Sequence, residues 1–403
     1  MIPFSIQVAG YTNLQKVLKI AAKNVPFPRP TLFSGPGSSL ELCDAIGQMG
    51  YENILIVTDA MLVKIGLLKD ITARLDKIGV KYTIFDGVLP DPTYTQVEDG
   101  LVVLKKNKCQ AVLAVGGGSS IDAAKVICAR ATNNKPIRKL AGMFRVFRPI
   151  LPLYAIPTTA GTGSEVTVAA VVSDPVTHAK TPIMDPKVVP QMAALDGSLM
   201  TGLPSHITAA TGMDALTHAV EAYISANAFE ETDACALAAT RLIMQNLETA
   251  VKDGGNLEAR QNMALASYYA GLAFTKAGVG YVHAIAHNFG AYYHTPHGLA
   301  NAIVLPHVLD YSKDASIERL AKLAEVSGLK KGKESKAQLA QKFIDHVRAM
   351  SRDFGIPEKL EALKREDIAG ITKNALKEAH FTYAVPKYMD AATCENLIAK
   401  MVA

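Results

Sequence analysis

Gly212-Met213-Asp214-Ala215-Leu216-Thr217-His218 opens, and Gly280-Tyr281-Val282-His283-Ala284-Ile285-Ala286-His287 with Pro296-His297-Gly298 closes, the stretch that decides how this chain is read. Asp214 and His218 stand four apart in an Ala-rich run without proline, so a helix stacks them on one face. His283 and His287 repeat that spacing, and His297 follows a proline in a turn between helices. Of the 10 histidines, those at 218, 283, 287, 294 and 297 crowd into this one stretch, which argues against a random scatter of surface imidazoles. One carboxylate and three imidazoles suit a divalent transition metal such as Fe(II) or Zn(II), and give little reason for Ca or Mg. The assignment is Asp214, His218, His283 and His297 to the metal, with His287 as a neighbour one turn along. Spacing alone does not force that choice, since His294 is also close. The competing reading for each histidine taken singly is a polar core or helix-surface residue.

Outward from this stretch the chain changes character. After about Pro204, Ala-rich helical periodicity runs to the C-terminus, so residues 204–403 are expected to form an all-helical metal-binding domain. Before it, residues 31–203 alternate strand and helix. Asn53–Asp59, Lys81–Asp86, Ala111–Val115 and Leu151–Ile156 are apolar runs with polar ends, as expected of strands in a buried, mostly parallel sheet. Residues 1–30 read as an arm: an amphipathic helix carrying Leu14, Val17 and Leu18, then a proline-rich connector ending at Pro30.

Composition narrows the function classes. A chain of 403 residues can bury a large core across two or three domains. The net charge of +5 is modest and its Lys and Arg are scattered, so no nucleic-acid partner is expected. No apolar run has membrane-spanning length and the N-terminus has no export signal, so no membrane partner is expected and the cytoplasm is. The 5 cysteines are far apart in sequence and read as reduced thiols.

Two loops carry the phosphate-binding signal. Gly116-Gly117-Gly118-Ser119-Ser120 follows the third strand and precedes a helix expected from about Ile121. Glycines there let backbone approach a pyrophosphate, and the helix N-terminus offers N–H groups. It is not the standard dinucleotide fingerprint, because Ile121 stands where the third glycine would be. Thr158, Thr159, Thr162 and Ser164 form a second hydroxyl-rich loop after the fourth strand. Asp59, ending the first strand, reads equally as an acceptor for adenosine ribose hydroxyls, favouring NAD over NADP, and as a helix N-cap.

These motifs, with Pro157 to Glu165, Asp196 through Pro204 to Glu221, and Gly280 to Ala302, resemble the iron-dependent alcohol dehydrogenases, from about Thr31 to the C-terminus. The resemblance implies the dehydroquinate synthase-like fold: an α/β dinucleotide-binding domain plus an all-α domain, with the active site in the cleft between them. It implies the same four metal ligands. Asp59, Asp91, Gly117, Gly118, Ser119, Thr158, Thr159, Thr162 and Lys180 are implied to line the cofactor site, His287 to be the catalytic histidine near the nicotinamide, and Phe274 to form an aromatic wall of the substrate pocket. Two positions depart from the family pattern. Pro90-Asp91-Pro92-Thr93 carries Asp where Asn is usual, and Phe381 with Val385-Pro386 replaces a Cys and Asn-Pro at the pocket rim.

The expected activity is reversible hydride transfer between a primary alcohol or diol and NAD, with Fe(II), or Zn(II) or Ni(II), polarising the alcohol or aldehyde oxygen. The expected partners are a small alcohol or aldehyde and a second copy of the chain, as a homodimer. A lactaldehyde, 1,3-propanediol or polyol dehydrogenase of the same superfamily is the nearer alternative. A nucleotide-binding sensor with a structural metal is the distant one.

Overall fold

The computed structural model describes residues 3–24, 26–177 and 179–403. It contains two compact units: Phe27–Leu203 with Gly254–Tyr268, and Met1–Pro26 with Pro204–Asp253 and Tyr269–Ala403. The arm's helix is therefore counted with the helical unit, and a short piece of the helical sequence with the α/β unit.

After helix α1 (Phe4–Asn24), the α/β unit runs β1 (Thr31–Ser34), α2 (Ser38–Gln48), β2 (Asn53–Val57), α3 (Ala60–Lys64), α4 (Lys69–Lys77), β3 (Lys81–Phe85), α5 (Tyr94–Lys106), β4 (Ala111–Gly116) and α6 (Gly118–Thr132). It continues through α7 (Ile137–Leu140), β5 (Gly142–Met143), β6 (Leu153–Pro157), β7 (Ala169–Ser173), β8 (Lys180–Met184) and β9 (Met192–Leu195). Six strands pair in parallel in the order β1-β9-β6-β4-β2-β3. Strand alternation divides their side chains between two faces. Leu55, Val57, Val112 and Ala114 meet Val97 and Leu104 of α5 and Ile121 and Ile127 of α6 on one face. On the other, Ile54, Ile56, Leu113 and Val115 meet Leu42 and Ile46 of α2 and Ile71 and Leu75 of α4.

The chain passes from β2 to β3 in one direction and from β4 to β6 in the other. The carboxyl ends of β2 and β4 thus flank the point where strand order reverses, the place where open α/β sheets bind ligands. Asp59 lies just past β2 and Gly117 just past β4. A second, three-stranded sheet, β5-β8-β7, was not foreseen. Its β8 contains Pro182, which argues against a central strand. Here β5 covers only Ile183 and Met184, leaving Pro182 on an open edge.

The helical unit comprises α1, α8 (Ser205–Ile224), α9 (Glu230–Lys252), the end of α10 (Leu257–Ala277), α11 (Tyr281–Tyr293), α12 (His297–Ser312), α13 (Ile317–Val326), α14 (Lys336–Asp353), α15 (Ile368–Thr382) and α16 (Ala391–Ala399). In α1 the aliphatic stripe is not the face that packs. Leu14 and Val17 are exposed, while Gln15 is buried. Gln15 bonds Asn227 and the Phe381 carbonyl, and Tyr11 meets the rings of His380, Phe381 and Tyr388. Polar and aromatic contacts at i and i+4 dock this helix, so its aliphatic residues do not mark its inner face. All five cysteines are free thiols, and among the described residues no helix is long and apolar enough to cross a membrane.

Candidate metal centre and cofactor loops

Helix α8 places Asp214 and His218 one turn apart, α11 contributes His283, and α12 begins at His297. One ligand atom from each of these four residues lies within 4.8 Å of all the others. Asp214 Oδ1 stands 3.6 Å from His297 Nε2 and 4.0 Å from His283 Nε2. Ligands about 2.1 Å from a shared ion in a tetrahedron stand about 3.4 Å apart, so the set fits a transition metal with little adjustment. Asp214, His218 and His283 are buried, whereas the His297 side chain is 37% exposed and opens the cluster on one side.

The surroundings fix the donors. Glu221, one turn beyond His218 on α8, accepts from His283 Nδ1 at 2.6 Å and from the Val282 backbone N–H at 2.8 Å. A Cβ on Gly280 would fall 2.8 Å from Glu221 Oε1, so the glycine is what lets the carboxylate reach the start of α11. With its proton on Nδ1, His283 presents Nε2 to the cluster. Burial and the neighbouring histidines hold His283 well below the ordinary imidazole range, in the neutral form a metal needs. Burial pushes Glu221 up, to about 7.

Asn301 is fully buried on α12, and its Nδ2 donates to Asp214 Oδ1 at 2.6 Å and lies 3.2 Å from Nε2 of both His283 and His297. Its Oδ1 is buried without a hydrogen-bond partner. This polar amide at the centre of the ligand set is costly to bury half-satisfied, which is consistent with a site built around a further polar group.

His287 is set apart from the four. Its ring stacks on His297, with centroids 5.4 Å apart, and its Nδ1 is 2.8 Å from Glu378 Oε1. Glu378 Oε1 also accepts from Tyr383 at 2.6 Å. His294 is the left-handed C-cap of α11 and falls outside the cluster. Phe274 stacks on His218 at 4.2 Å, while Phe381 is 57% exposed and its ring edge meets Tyr11.

In the α/β unit the two loops are packed together. Helix α6 begins at Gly118, earlier than the expected start near Ile121, so the glycine run itself forms the helix N-terminus. A Cβ at Gly118 would fall 2.6 Å from Thr162 Cγ2, one at Gly117 3.3 Å from Thr159 Oγ1, and one at Gly116 2.5 Å from Ser120 Oγ. Gly116 also has φ +156. Thr158 N–H bonds the Gly116 carbonyl at 3.0 Å, joining the ends of β4 and β6. Behind the loops, Ser164 donates to the half-buried Asp122 at 2.5 Å. Lys125, fully buried, donates to Thr167 O and Ala169 O.

Asp59 is the N-cap of α3: its Oδ1 accepts from Met61 N at 2.9 Å and Leu62 N at 3.0 Å. Asp91 has φ 55, which Asp tolerates better than most residues. It is ion-paired with Lys180, so two of the expected cofactor residues hold each other. Ser119 sits in the first turn of α6.

Sequence reasoning gave no role to Glu221, Asn301, Glu378 or Tyr383. Glu221 and Asn301 had a detectable signal, standing one helical turn beyond His218 and His297. Glu378 and Tyr383 reach His287 only through tertiary packing.

A parallel sheet with paired Gly- and Thr-rich loops, together with a helical unit holding an Asp-His₃ cluster, defines a metal-dependent dehydrogenase architecture. Residues 29–197 match the family described as iron-containing alcohol dehydrogenase, and residues 208–402 its C-terminal part, the Fe-containing alcohol dehydrogenase family, C-terminal. The chain is 40% identical to lactaldehyde reductase of Escherichia coli (strain K12) over 352 residues, 86% of this chain and 92% of that protein. It is 40% identical to the NAD-dependent methanol dehydrogenase of Bacillus methanolicus over 354 residues, 87% and 93% respectively. A crystal structure of 1,3-propanediol oxidoreductase superimposes with a TM-score of 0.90 at 39% identity, covering 94% of this chain and all of that one. The chain belongs to the iron-containing alcohol dehydrogenase family, and it is an oxidoreductase acting on alcohols with iron as its metal.

Proposed function

We propose that this enzyme interconverts small primary alcohols or diols and their aldehydes with NAD⁺/NADH, using Asp214, His218, His283 and His297 as the iron ligands. The observation that carries the reading is the convergence of those four donors within 4.8 Å, one side of the set formed by the exposed His297. An ion bound there supplies Lewis-acid polarisation of the alcohol or aldehyde oxygen, and the nicotinamide supplies or takes the hydride. The residues do the rest. Glu221 and Asn301 hold His283 and Asp214 in place. His287 carries the alcohol proton away from, or delivers it to, the substrate oxygen, which balances the reaction as alcohol plus NAD⁺ giving aldehyde, NADH and a proton. Phe274 walls the substrate pocket beside His218, and Phe381 stands at its rim.

For the cofactor, the loops at Gly117, Gly118, Ser119 and at Thr158, Thr159, Thr162 are assigned the pyrophosphate. Asp59 is assigned the adenosine ribose, its Oδ1 already fixed by the helix it caps. That carboxylate repels a 2′-phosphate and supports NAD over NADP. Asp91 and Lys180 are assigned to the cofactor as a pair, their mutual contact setting the charge there near zero. Small alcohols and diols are favoured because the relatives are named for lactaldehyde, methanol and 1,3-propanediol. We place the enzyme in the cytoplasm, which its five free cysteines support. We assign it a homodimer, supported by the exposed Ile6, Leu14, Val17 and Ile20 of α1, an apolar face a second copy would cover.

The test is anaerobic NAD⁺ reduction with a series of primary alcohols and diols, on chelator-treated protein and on protein reloaded with Fe(II), Zn(II) or Ni(II), with NADP⁺ in parallel. Activity restored by Fe(II) and preferring NAD⁺ is the expected result. Tight NAD binding without turnover of any alcohol under any metal overturns the reading. Light scattering checks the dimer.

A further inference from the structure

Helix α11 carries two histidines four residues apart, and each gives its Nδ1 to a different glutamate. His283 is backed by Glu221 and is buried at 3% exposure; His287 is backed by Glu378, and both of those side chains are about 30% exposed. We propose that Glu378, steadied by Tyr383, is the positioning residue that fixes the tautomer and orientation of His287 for proton transfer. The proposal rests on the reading of His287 as the residue that moves the alcohol proton.

The geometry is specific. Glu378 Oε1 receives two contacts at once, from His287 Nδ1 at 2.8 Å and from Tyr383 Oη at 2.6 Å. Burial alone would raise the Glu378 carboxyl, but His287 and Tyr383 outweigh it and hold it below the usual carboxylate range. Tyr383 is pushed well above its ordinary value by burial and by Glu378, so it stays a donor. A carboxylate that only accepts, facing one fixed O–H donor, requires the proton of neutral His287 to sit on Nδ1. Proton exchange with substrate is thereby assigned to Nε2. The Tyr383 hydroxyl also restrains rotation of the carboxylate, so the imidazole is aimed before substrate arrives. Glu378 lies on α15 and Tyr383 follows its last turn, where Tyr383 N–H caps the helix at Ala379 O. One helix end therefore supplies both parts of the support.

The experiment is a double-mutant cycle with a spectroscopic arm. Glu378→Leu, Glu378→Gln, Glu378→Asp and Tyr383→Phe are made in the wild-type protein and in His287→Ala. Metal content, kcat, KM for alcohol and for NAD, and the ¹⁵N spectrum of His287 are recorded. Glu378→Leu is expected to lower kcat about 10- to 100-fold, with metal content and KM for NAD unchanged. Glu378→Asp should restore part of that loss, and Tyr383→Phe should cost only a few-fold. In the His287→Ala background, Glu378→Leu should add nothing, and the ¹⁵N signals of His287 should leave the Nδ1–H tautomer when Glu378 is replaced. If Glu378→Leu does not fold, Glu378→Gln keeps the shape and carries the same comparison. Equal losses in both backgrounds make Glu378 a merely structural residue and overturn the proposal. So does an unaffected Glu378→Leu beside an impaired His287→Ala. Full turnover by His287→Ala overturns the proton-transfer reading itself, and the proposal with it, and is distinguishable from both.

Discussion

Gly298 sits directly after His297, where α12 meets α8. A Cβ placed on it would stand 2.8 Å from the carbonyl carbon of Ala210 and 3.4 Å from Asp214 Cβ. The first of these is backbone inside a helix, so it cannot swing aside as a side chain tip would. Restoring an ordinary carbon–carbon contact of about 3.5 Å requires the two helices to part by about 0.7 Å. Those helices carry three of the four proposed ligands, Asp214 and His218 on one and His297 on the other. Metal coordination tolerates about 0.2 Å. Gly298→Ala is therefore expected to weaken metal binding about 10- to 100-fold, the loss typical when a group that positions a ligand is disturbed. In stability, overpacking costs about 1–3 kcal/mol, and the gain from alanine over glycine in a helix returns about 0.5–1. The balance, about 0.5–2 kcal/mol, lowers the melting temperature by roughly 1–8 °C for a unit of 150–250 residues. The assay is Zn(II) titration of the apoprotein against a chromophoric chelator, with thermal melts alongside. Gly290→Ala is the control, since its nearest neighbour is Thr295 O at 3.7 Å, an ordinary contact on the helix that carries His283. The control should hold metal normally and melt slightly higher. A Gly298→Ala protein with wild-type metal affinity and a melting temperature within about a degree would refute the reasoning.

Three further outcomes are expected. His283→Ala should lose the metal, while His287→Ala should retain it and slow turnover, read by metal analysis and steady-state kinetics on the same preparations. Glu165 is buried and pushed up to about 7 by burial, above its ordinary 4.5. Between those values the folded protein holds a proton the unfolded chain has released, so this group's stabilisation is full below about pH 4.5 and is lost as pH rises toward 7, at up to about 1.4 kcal/mol per pH unit. Urea melts across that window should show the slope, and Glu165→Gln should flatten it. Gln15→Leu leaves the Asn227 amide without its Gln15 partner and should cost about 1–3 kcal/mol, seen as a lower denaturation midpoint, whereas Lys16→Ala, next to it on the exposed side of α1, should change little.

What was legible followed from local periodicity. β2, β4 and β6 are continuous apolar runs because helices cover both of their faces, and they read correctly to within two residues at each end. Asp214 and His218 could be paired because a helix converts a spacing of four into a shared face. β1, β7 and β9 have only four or five residues, too few for a periodicity to stand out, and β8 is disguised by Pro182. In α1 the aliphatic stripe pointed one way and the buried Gln15 the other, because what the helix docks on is aromatic and polar. Helix α6 starts inside the glycine run because Gly118 yields its Cβ space to Thr162, a contact with a loop more than 40 residues away. The partner of His287 was invisible for the same reason: Glu378 is 91 positions along the chain and has no spacing relation to it.

On the proposed reading, the two histidines of α11 put a metal ligand and a proton carrier side by side on one helix face. Both lie in the same turn pattern, and both are backed at Nδ1 by glutamate at hydrogen-bond distance. Exposure and charge separate them. His283 is enclosed, and with three other imidazoles close by, protonating it would bury a charge among groups that oppose it. Such a nitrogen is suited to donate its lone pair permanently. His287 keeps 29% of its side chain accessible and faces a glutamate that remains charged and is fixed by a tyrosine, so an imidazolium forming there would be compensated. The helix rise of about 6 Å between them would keep His287, the proposed proton carrier, within reach of a substrate at the proposed metal site without adding a fifth ligand to it. Exchanging the environments should therefore exchange the behaviours. With Glu378 made neutral, an imidazolium at His287 loses its compensating charge, and the residue is left with the chemistry of a ligand.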